Sequence, residues 1–225
     1  MVFEQRGSMG GIWNSTPSLR SEPLFAVPQT NPAGMIEEPI WYDTVSQSNK
    51  SKATSRIARG EGTPSFVSPV YDRLETNIPR SLMGFSDLNW PDETQLFPKH
   101  DNVLKYIQEY GKDVEDLVKL QTQITNVEPT DDNRAGGWKL TFRDLHTGVQ
   151  RKELFDTVIV ANGHFIVPYV PDIAGIREWN DKYPGVISHS KYFRNPESFA
   201  NRVYSIYNSH RMYVLNNDLE SHRSR

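Results

Sequence analysis

The 225-residue chain contains no cysteine, which removes structural disulfides, thiolate metal sites and cysteine nucleophiles together. It has no apolar run near the roughly 18 residues needed to span a bilayer. Its N-terminus lacks the basic, apolar and small-residue succession of a cleaved leader. An excess of charge of either sign is also missing: 25 Lys and Arg against 28 Asp and Glu leave a formal net charge of −3. That balance argues against a nucleic-acid or anionic-membrane partner. None of the six histidines is paired with another at helix-face spacing, so no metal site is expected. Glycine is missing altogether after Gly185. A cytoplasmic protein is the default expectation.

What is present fits a globular chain. An apolar fraction of 36% with 24% charged residues is enough for one or two domains with a core of their own. Val2-Phe3-Glu4 reads as the end of a buried strand closing on an acidic residue. Residues 14–68 are rich in Ser, Thr, Pro, Gly and charge, and predict a long loop, disordered over 46–62. Asp101 is expected to cap a helix over 102–110, with Val103, Leu104, Ile107 and Tyr110 on one apolar face and Gly111 ending it. Alternation at Leu120, Thr122 and Ile124, and again at Trp138, Leu140 and Phe142, predicts two half-buried strands. His146-Thr147-Gly148 turns the chain toward Leu154–Ala161, whose Val-Ile-Val centre predicts a strand covered on both faces. Residues 117–155 therefore read as an antiparallel insertion in an α/β sheet. From Val203 onward no regular periodicity is visible.

Three segments carry candidate chemistry. Glu4 followed by Gly10, Gly11 and Trp13 places an acid at a strand end, where it could accept bonds from ribose hydroxyls. The glycines after it would let backbone approach a ligand without a Cβ. An ordinary strand end with a glycine turn is the simpler alternative. In Leu74-Glu-Thr76-Asn77-Ile-Pro79, followed by Met83-Gly-Phe-Ser-Asp87, Asn77 taken by itself reads as a turn residue before proline that bonds its own backbone. The third segment runs Val158-Ile-Val-Ala161-Asn162-Gly163, then Tyr183-Pro-Gly185-Val-Ile-Ser-His189-Ser-Lys-Tyr-Phe193-Arg194-Asn195-Pro196. Gly60-Glu61-Gly62 is set aside as a phosphate loop, because no buried strand precedes it and no third glycine follows.

Taken in order, these segments resemble the flavin-containing monooxygenase family. The resemblance rests on Glu-x5-Gly-Gly-x-Trp, Leu-x-Thr-Asn-x-Pro, Ala-x-Gly and aromatic-x-Gly-x3-His-x3-aromatic, and it runs with gaps from Val2 to about Phe199. It implies an α/β protein with a partial two-dinucleotide-binding, Rossmann-like flavoprotein fold and an inserted antiparallel β excursion. It further implies FAD and NADPH as cofactors, Asn77 as the catalytic residue beside the flavin, and cofactor contacts at Glu4, Gly10, Gly11, Trp13, Thr76, Asn77, Ala161, Asn162, Gly163 and His189. Asn162 departs from the family's usual threonine at that corner. The implied activity oxygenates an amine or sulfide through a flavin hydroperoxide, with oxygen and a small molecule as the reaction partners.

Family members carry two Gly-x-Gly-x-x-Gly loops, and this sequence has neither. The expectation is therefore a truncated member: an incomplete FAD domain over 1–165, a linker and the start of an NADPH domain over 166–202, and an aberrant tail over 203–225. Such a chain would expose apolar sheet edges and bind FAD weakly. A Baeyer-Villiger enzyme and a non-catalytic fragment of the family stay open as alternatives. Phe193-Arg194 stands where Baeyer-Villiger enzymes commonly carry Trp-Pro.

Overall fold

The computed structural model describes residues 1–15, 36–42, 62–130, 136–163, 166, 168, 170–171, 173–184, 187–199, 204–208 and 211–215. A first short strand, β1 (Val2–Phe3), runs parallel to β4 (Val118–Lys119), with Val2 opposite Val118. The pairing continues irregularly: Glu4 N donates to Lys119 O at 3.0 Å, and Thr122 N to Glu4 O at 3.0 Å. Phe3 turns inward against Phe142, with ring centroids 4.9 Å apart, and meets Phe155 edge-on at 6.1 Å. Val2 faces outward and is 50% exposed. The strand end expected to be buried is thus covered on one face only, because it has one neighbour among the described residues.

Residues 16–35 and 43–61 of the predicted loop at 14–68 lie outside the described residues, which takes in the expected disordered stretch 46–62 apart from Gly62. What is described of it is partly strand. Strands β2 (Ile40–Tyr42) and β3 (Thr63–Ser65) pair antiparallel. Phe66, Val67, Ser68 and Val70 then enter the core, Phe66 and Ser68 with no exposure at all. The composition misled here because Ser68 is buried by satisfying its polar atoms, as described below.

Helix α1 spans His100–Tyr110. It begins earlier than expected: Lys99, with extended dihedrals, is the N-cap, and Asp101 lies in the first turn without capping. There its carboxylate still favours the positive end of the helix dipole. The buried face also differs from the expected one. It consists of His100, Val103 and Tyr106, whereas Tyr110 is 44% exposed. Tyr106 decides this. Its ring stacks on Trp90 at 3.8 Å, and its hydroxyl donates to Leu88 O at 2.5 Å and accepts from Phe85 N at 2.8 Å. A buried tyrosine with its polar tip satisfied outweighs an aliphatic stripe. Gly111 ends the helix as expected, its N–H closing on Ile107 O at 3.0 Å.

Strands β5 (Thr122–Pro129), β6 (Trp138–Asp144) and β7 (Gln150–Phe155) form an antiparallel meander, the excursion expected over 117–155. Leu140 and Phe142 are buried from β6. A register shift between Ile124 and Asn126 bulges β5. The β6–β7 turn is held by Asp144, whose carboxylate accepts from Thr147 N at 2.7 Å and from Thr147 Oγ1 at 3.0 Å. Those bonds keep it ionised below the ordinary carboxylate range.

The expected covered strand Leu154–Ala161 is not formed. Strand β7 ends at Phe155, and beyond it Ile159 is 88% and Val160 71% exposed. A doubly covered strand needs neighbours at both edges, and no described strand pairs with 157–161. Helix α2 (Ile176–Lys182) follows, entered through Gly175 at φ 83°. The residues after Val203 are also more regular than expected: β8 (Tyr204–Asn208) and β9 (Arg211–Leu215) pair antiparallel.

Candidate functional site

The segment from Glu4 to Asn14 is shaped by side chains that reach back onto its own backbone. Glu4 Oε1 accepts from Arg6 N at 2.8 Å and turns the chain out of β1, leaving Oε2 to accept a further bond. Asn14 shares its amide hydrogens among the carbonyls of Ser8, Met9 and Gly11 at 3.2–3.3 Å, and its Oδ1 accepts from Ser8 Oγ at 2.6 Å. Two outside groups complete the clamp. Gln108 of α1 donates to Met9 O at 3.1 Å, and Ser68 Oγ donates to Ile12 O.

The paired glycines have separate reasons. Gly10 sits at φ 118°, a backbone conformation that side chains rarely adopt, and a Cβ there would also displace the tip of Leu104, 2.4 Å away. Gly11 sits at φ 52° with nothing within 4 Å of a Cβ position, and so presents bare backbone to open space. Trp13, half-buried, closes the 3-10 turn begun at Gly11.

The Thr76–Asn77 segment docks at the other end of α1. Thr76 N donates to Pro98 O at 2.9 Å and His100 N to Leu74 O at 3.1 Å, while Thr76 Oγ1 bonds Ile78 O at 2.9 Å. Thr76 is thereby a turn-forming residue, and Asn77 at the tip is exposed. One helix thus carries both candidate segments, with attachment points eight residues apart, about 12 Å along its axis.

His189 caps a 3-10 turn, its Nδ1 accepting from Lys191 N at 3.1 Å. Burial, then the Lys191 charge, holds its pKa below the ordinary histidine value. The turn buries Lys191, 5% exposed, against the Glu37 carboxylate at 3.1 Å. Arg194 continues the docking, with Nη2 donating to Ser68 O at 2.9 Å and Nη1 to Phe193 O at 2.8 Å. Tyr71 meets Phe193 edge-on at 5.3 Å. The region around His189 is therefore tied to residues 68–72, next to the glycine loop.

Ala161, Asn162 and Gly163 are not brought into this group. All three are exposed. The left-handed residue of that corner is Gly163, at φ 70°, and not Asn162. Sequence reasoning missed Arg6, Asn14, Glu37, Ser68, Gln108 and Lys191. Arg6 is 4% exposed, and its Nη1 bonds Phe66 O at 2.5 Å. Burial lowers its pKa against the opposing charges of Glu4 and Glu37. An arginine two residues after a strand-end acid, and an asparagine directly after Gly-Gly-Ile-Trp, were the available signals.

An acid at a strand end, a clamped loop with one open glycine, and an exposed amide docked at the same helix are thus brought together in a mixed α/β framework. Residues 60–209 match the model of the flavin-binding monooxygenase-like family, and the chain belongs to that family. Similar proteins include flavin-containing monooxygenase FMO GS-OX-like 4 of Arabidopsis thaliana, 29% identical over 214 residues, which are 90% of this chain and 39% of that protein. FMO GS-OX3 of the same plant is 30% identical over 212 residues, covering 90% of this chain and 37% of its own length. The crystal structure of Tmm from Pelagibacter sp. strain HTCC7211 superimposes with a TM-score of 0.56 at 21% identity, over 88% of this chain and 36% of that one. The fold is accordingly part of a Rossmann-like flavoprotein fold, and the chain spans less than two fifths of these proteins' length. Members of the family are flavoproteins that use FAD and NADPH. Among the described residues no helix is long and apolar enough to cross a membrane.

The residues present fit one part of an FAD site. Glu4 Oε2 and the bare face of Gly11 suit a ribose and its neighbouring backbone contacts. A Gly-x-Gly-x-x-Gly pyrophosphate cradle does not occur in the sequence.

Proposed function

We propose that this chain serves an FAD- and NADPH-dependent monooxygenase acting on a soft nucleophile, an amine nitrogen or a sulfide sulfur. The observation that supports this most is the mounting of the Glu4–Trp13 loop and the Thr76–Asn77 turn on one helix, with Gly11 open and Asn77 exposed. Glu4 would accept from the adenosine ribose and Gly11 would admit the cofactor against backbone. Asn77 would offer a neutral amide that donates or accepts without adding charge. FAD, when bound, supplies the acceptance of a hydride from NADPH and the activation of oxygen. The protein's own part is to hold, orient and exclude water. His189, Lys191 and Arg194 belong to the support of the loop, and Ala161 to Gly163 to the cofactor side of the next segment. Phe193-Arg194, where Baeyer-Villiger enzymes commonly carry Trp-Pro, and the Thr76-Asn77-Ile-Pro79 run favour the amine and sulfide branch.

Flavin fluorescence titration of the purified chain tests the binding half. Weak, saturable quenching that Glu4→Ala weakens roughly tenfold is expected, and no saturation at any concentration would sink it. Product analysis with added FAD, NADPH and a panel of thioethers, tertiary amines and ketones tests the rest. N- or S-oxides are expected in low yield, turnover being impaired because neither glycine loop occurs in this sequence; ester formation from the ketones alone would overturn the substrate class.

A further inference from the structure

Beside Gln108, the glycine loop is held from outside by the Ser68 hydroxyl. Ser68 is completely buried. Its Oγ accepts from Val70 N at 3.2 Å, so its single hydrogen is available for Ile12 O, to which it donates. Its carbonyl, on the other side of the residue, accepts from Arg194 Nη2 at 2.9 Å across 126 residues of sequence. Two residues earlier, Phe66 O accepts from Arg6 Nη1, on the strand-end side of the same loop. Two guanidinium groups from opposite ends of the chain thus grip one three-residue run, and that run passes the grip to Ile12 through a side chain.

We propose that Ser68 is the positioning residue through which the Arg194 segment sets the Gly10–Trp13 loop. Arg194 fixes the backbone of Ser68, that backbone aims Oγ, and Oγ fixes Ile12 O while Gly11 on the same turn stays open. Nothing on the Arg194 side need touch the cofactor for its placement to change how the loop receives one. The role as a cofactor-loop positioner rests on the function proposed above. The mechanical link itself does not.

Amide hydrogen exchange read by mass spectrometry tests the link without any cofactor. The reporters are Trp13 N and Asn14 N, which bond Gly10 O at 3.1 Å and Gly11 O at 3.2 Å. Arg194→Gln removes a charged donor to Ser68 O and is expected to speed exchange there roughly tenfold or more. Amides of β6 serve as the unchanged control. In a Ser68→Ala background, where the hydroxyl relay is already gone, Arg194→Gln is expected to add nothing further at these two amides. Arg194→Lys, which keeps the charge but loses the fork, is expected to fall between. If Arg194→Gln unfolds the chain, loss of β6 protection reveals it and Arg194→Lys carries the comparison. Unchanged exchange at Trp13 and Asn14, or the same increment with and without the Ser68 hydroxyl, would overturn the proposal. Flavin titration of the same proteins separates the two ideas: coupling without any flavin quenching supports Ser68 as the relay and removes the functional reading.

Discussion

Trp138–Phe142 and Val158–Val160 lie within about twenty residues of each other, both rich in β-forming side chains, and they meet opposite fates. The first is the central strand of a closed meander, with Leu140 and Phe142 almost wholly buried. The second pairs with no described strand and presents Ile159 at 88% exposure. Propensity is the same in both, so the difference lies in neighbours. Strand β6 has both of its neighbours next to it in chain order, β5 before and β7 after, whereas a doubly covered strand depends on partners distant in sequence.

The widest expected separation between the two regions is in stability. Phe142→Ala deletes a ring packed on Phe3 at 4.9 Å and should cost about 3–5 kcal/mol in denaturant unfolding. Val160→Ala, at a site 71% exposed, should stay within about 0.5 kcal/mol of the parent. Equal losses would erase the contrast.

Glycines sharpen it next. Gly10→Ala puts a side chain at φ 118° and pushes the tip of Leu104 aside, and should cost about 1–3 kcal/mol. Gly163→Ala meets nothing within 4 Å and should cost only the left-handed backbone penalty, about 1 kcal/mol. Thermal unfolding of the pair orders them.

Acid should separate the regions more gently. His189 has its folded pKa below the ordinary value, so the unfolded chain takes up the proton first as pH falls. Stability is therefore full at neutral pH and lost progressively below about pH 6.5, the unfolded histidine value. His189→Asn should flatten that slope in unfolding curves from pH 7 to 5, while the β5–β7 meander, which lacks this group, keeps its local exchange protection.

The smallest stability effect belongs to Val160→Lys, which should leave the unfolding midpoint in place while lowering light scattering on storage, because a charge blunts an exposed apolar edge. A lowered midpoint would show that Val160 is packed.

Legibility in the sequence follows the same division. Strands β5 and β6, the turn at His146–Gly148 that follows β6, and helix α1 could be read because short-range alternation and a stop glycine encode them. The buried face of α1 could not, since Tyr106 is chosen by Trp90, Phe85 and Leu88 across the fold. For the candidate site, Glu4, Gly10, Gly11 and His189 were visible as a pattern. Their supports were not: Lys191 finds Glu37, and Arg194 finds Ser68, by contacts over more than a hundred residues that no local spacing records.

The clamp on the glycine loop also has a meaning in time. Gln108 reaches Met9 across 99 residues, and Arg6 reaches Phe66 across 60. The meander, by contrast, joins strands adjacent in sequence. Loop-closure entropy makes distant contacts the later ones, so the meander is expected to assemble early and the Glu4–Asn14 clamp to lock last. Pulse-labelled exchange during refolding should show β6 protected before Trp13. The loop proposed to meet the cofactor would then be the last part of this chain to form and the first to let go.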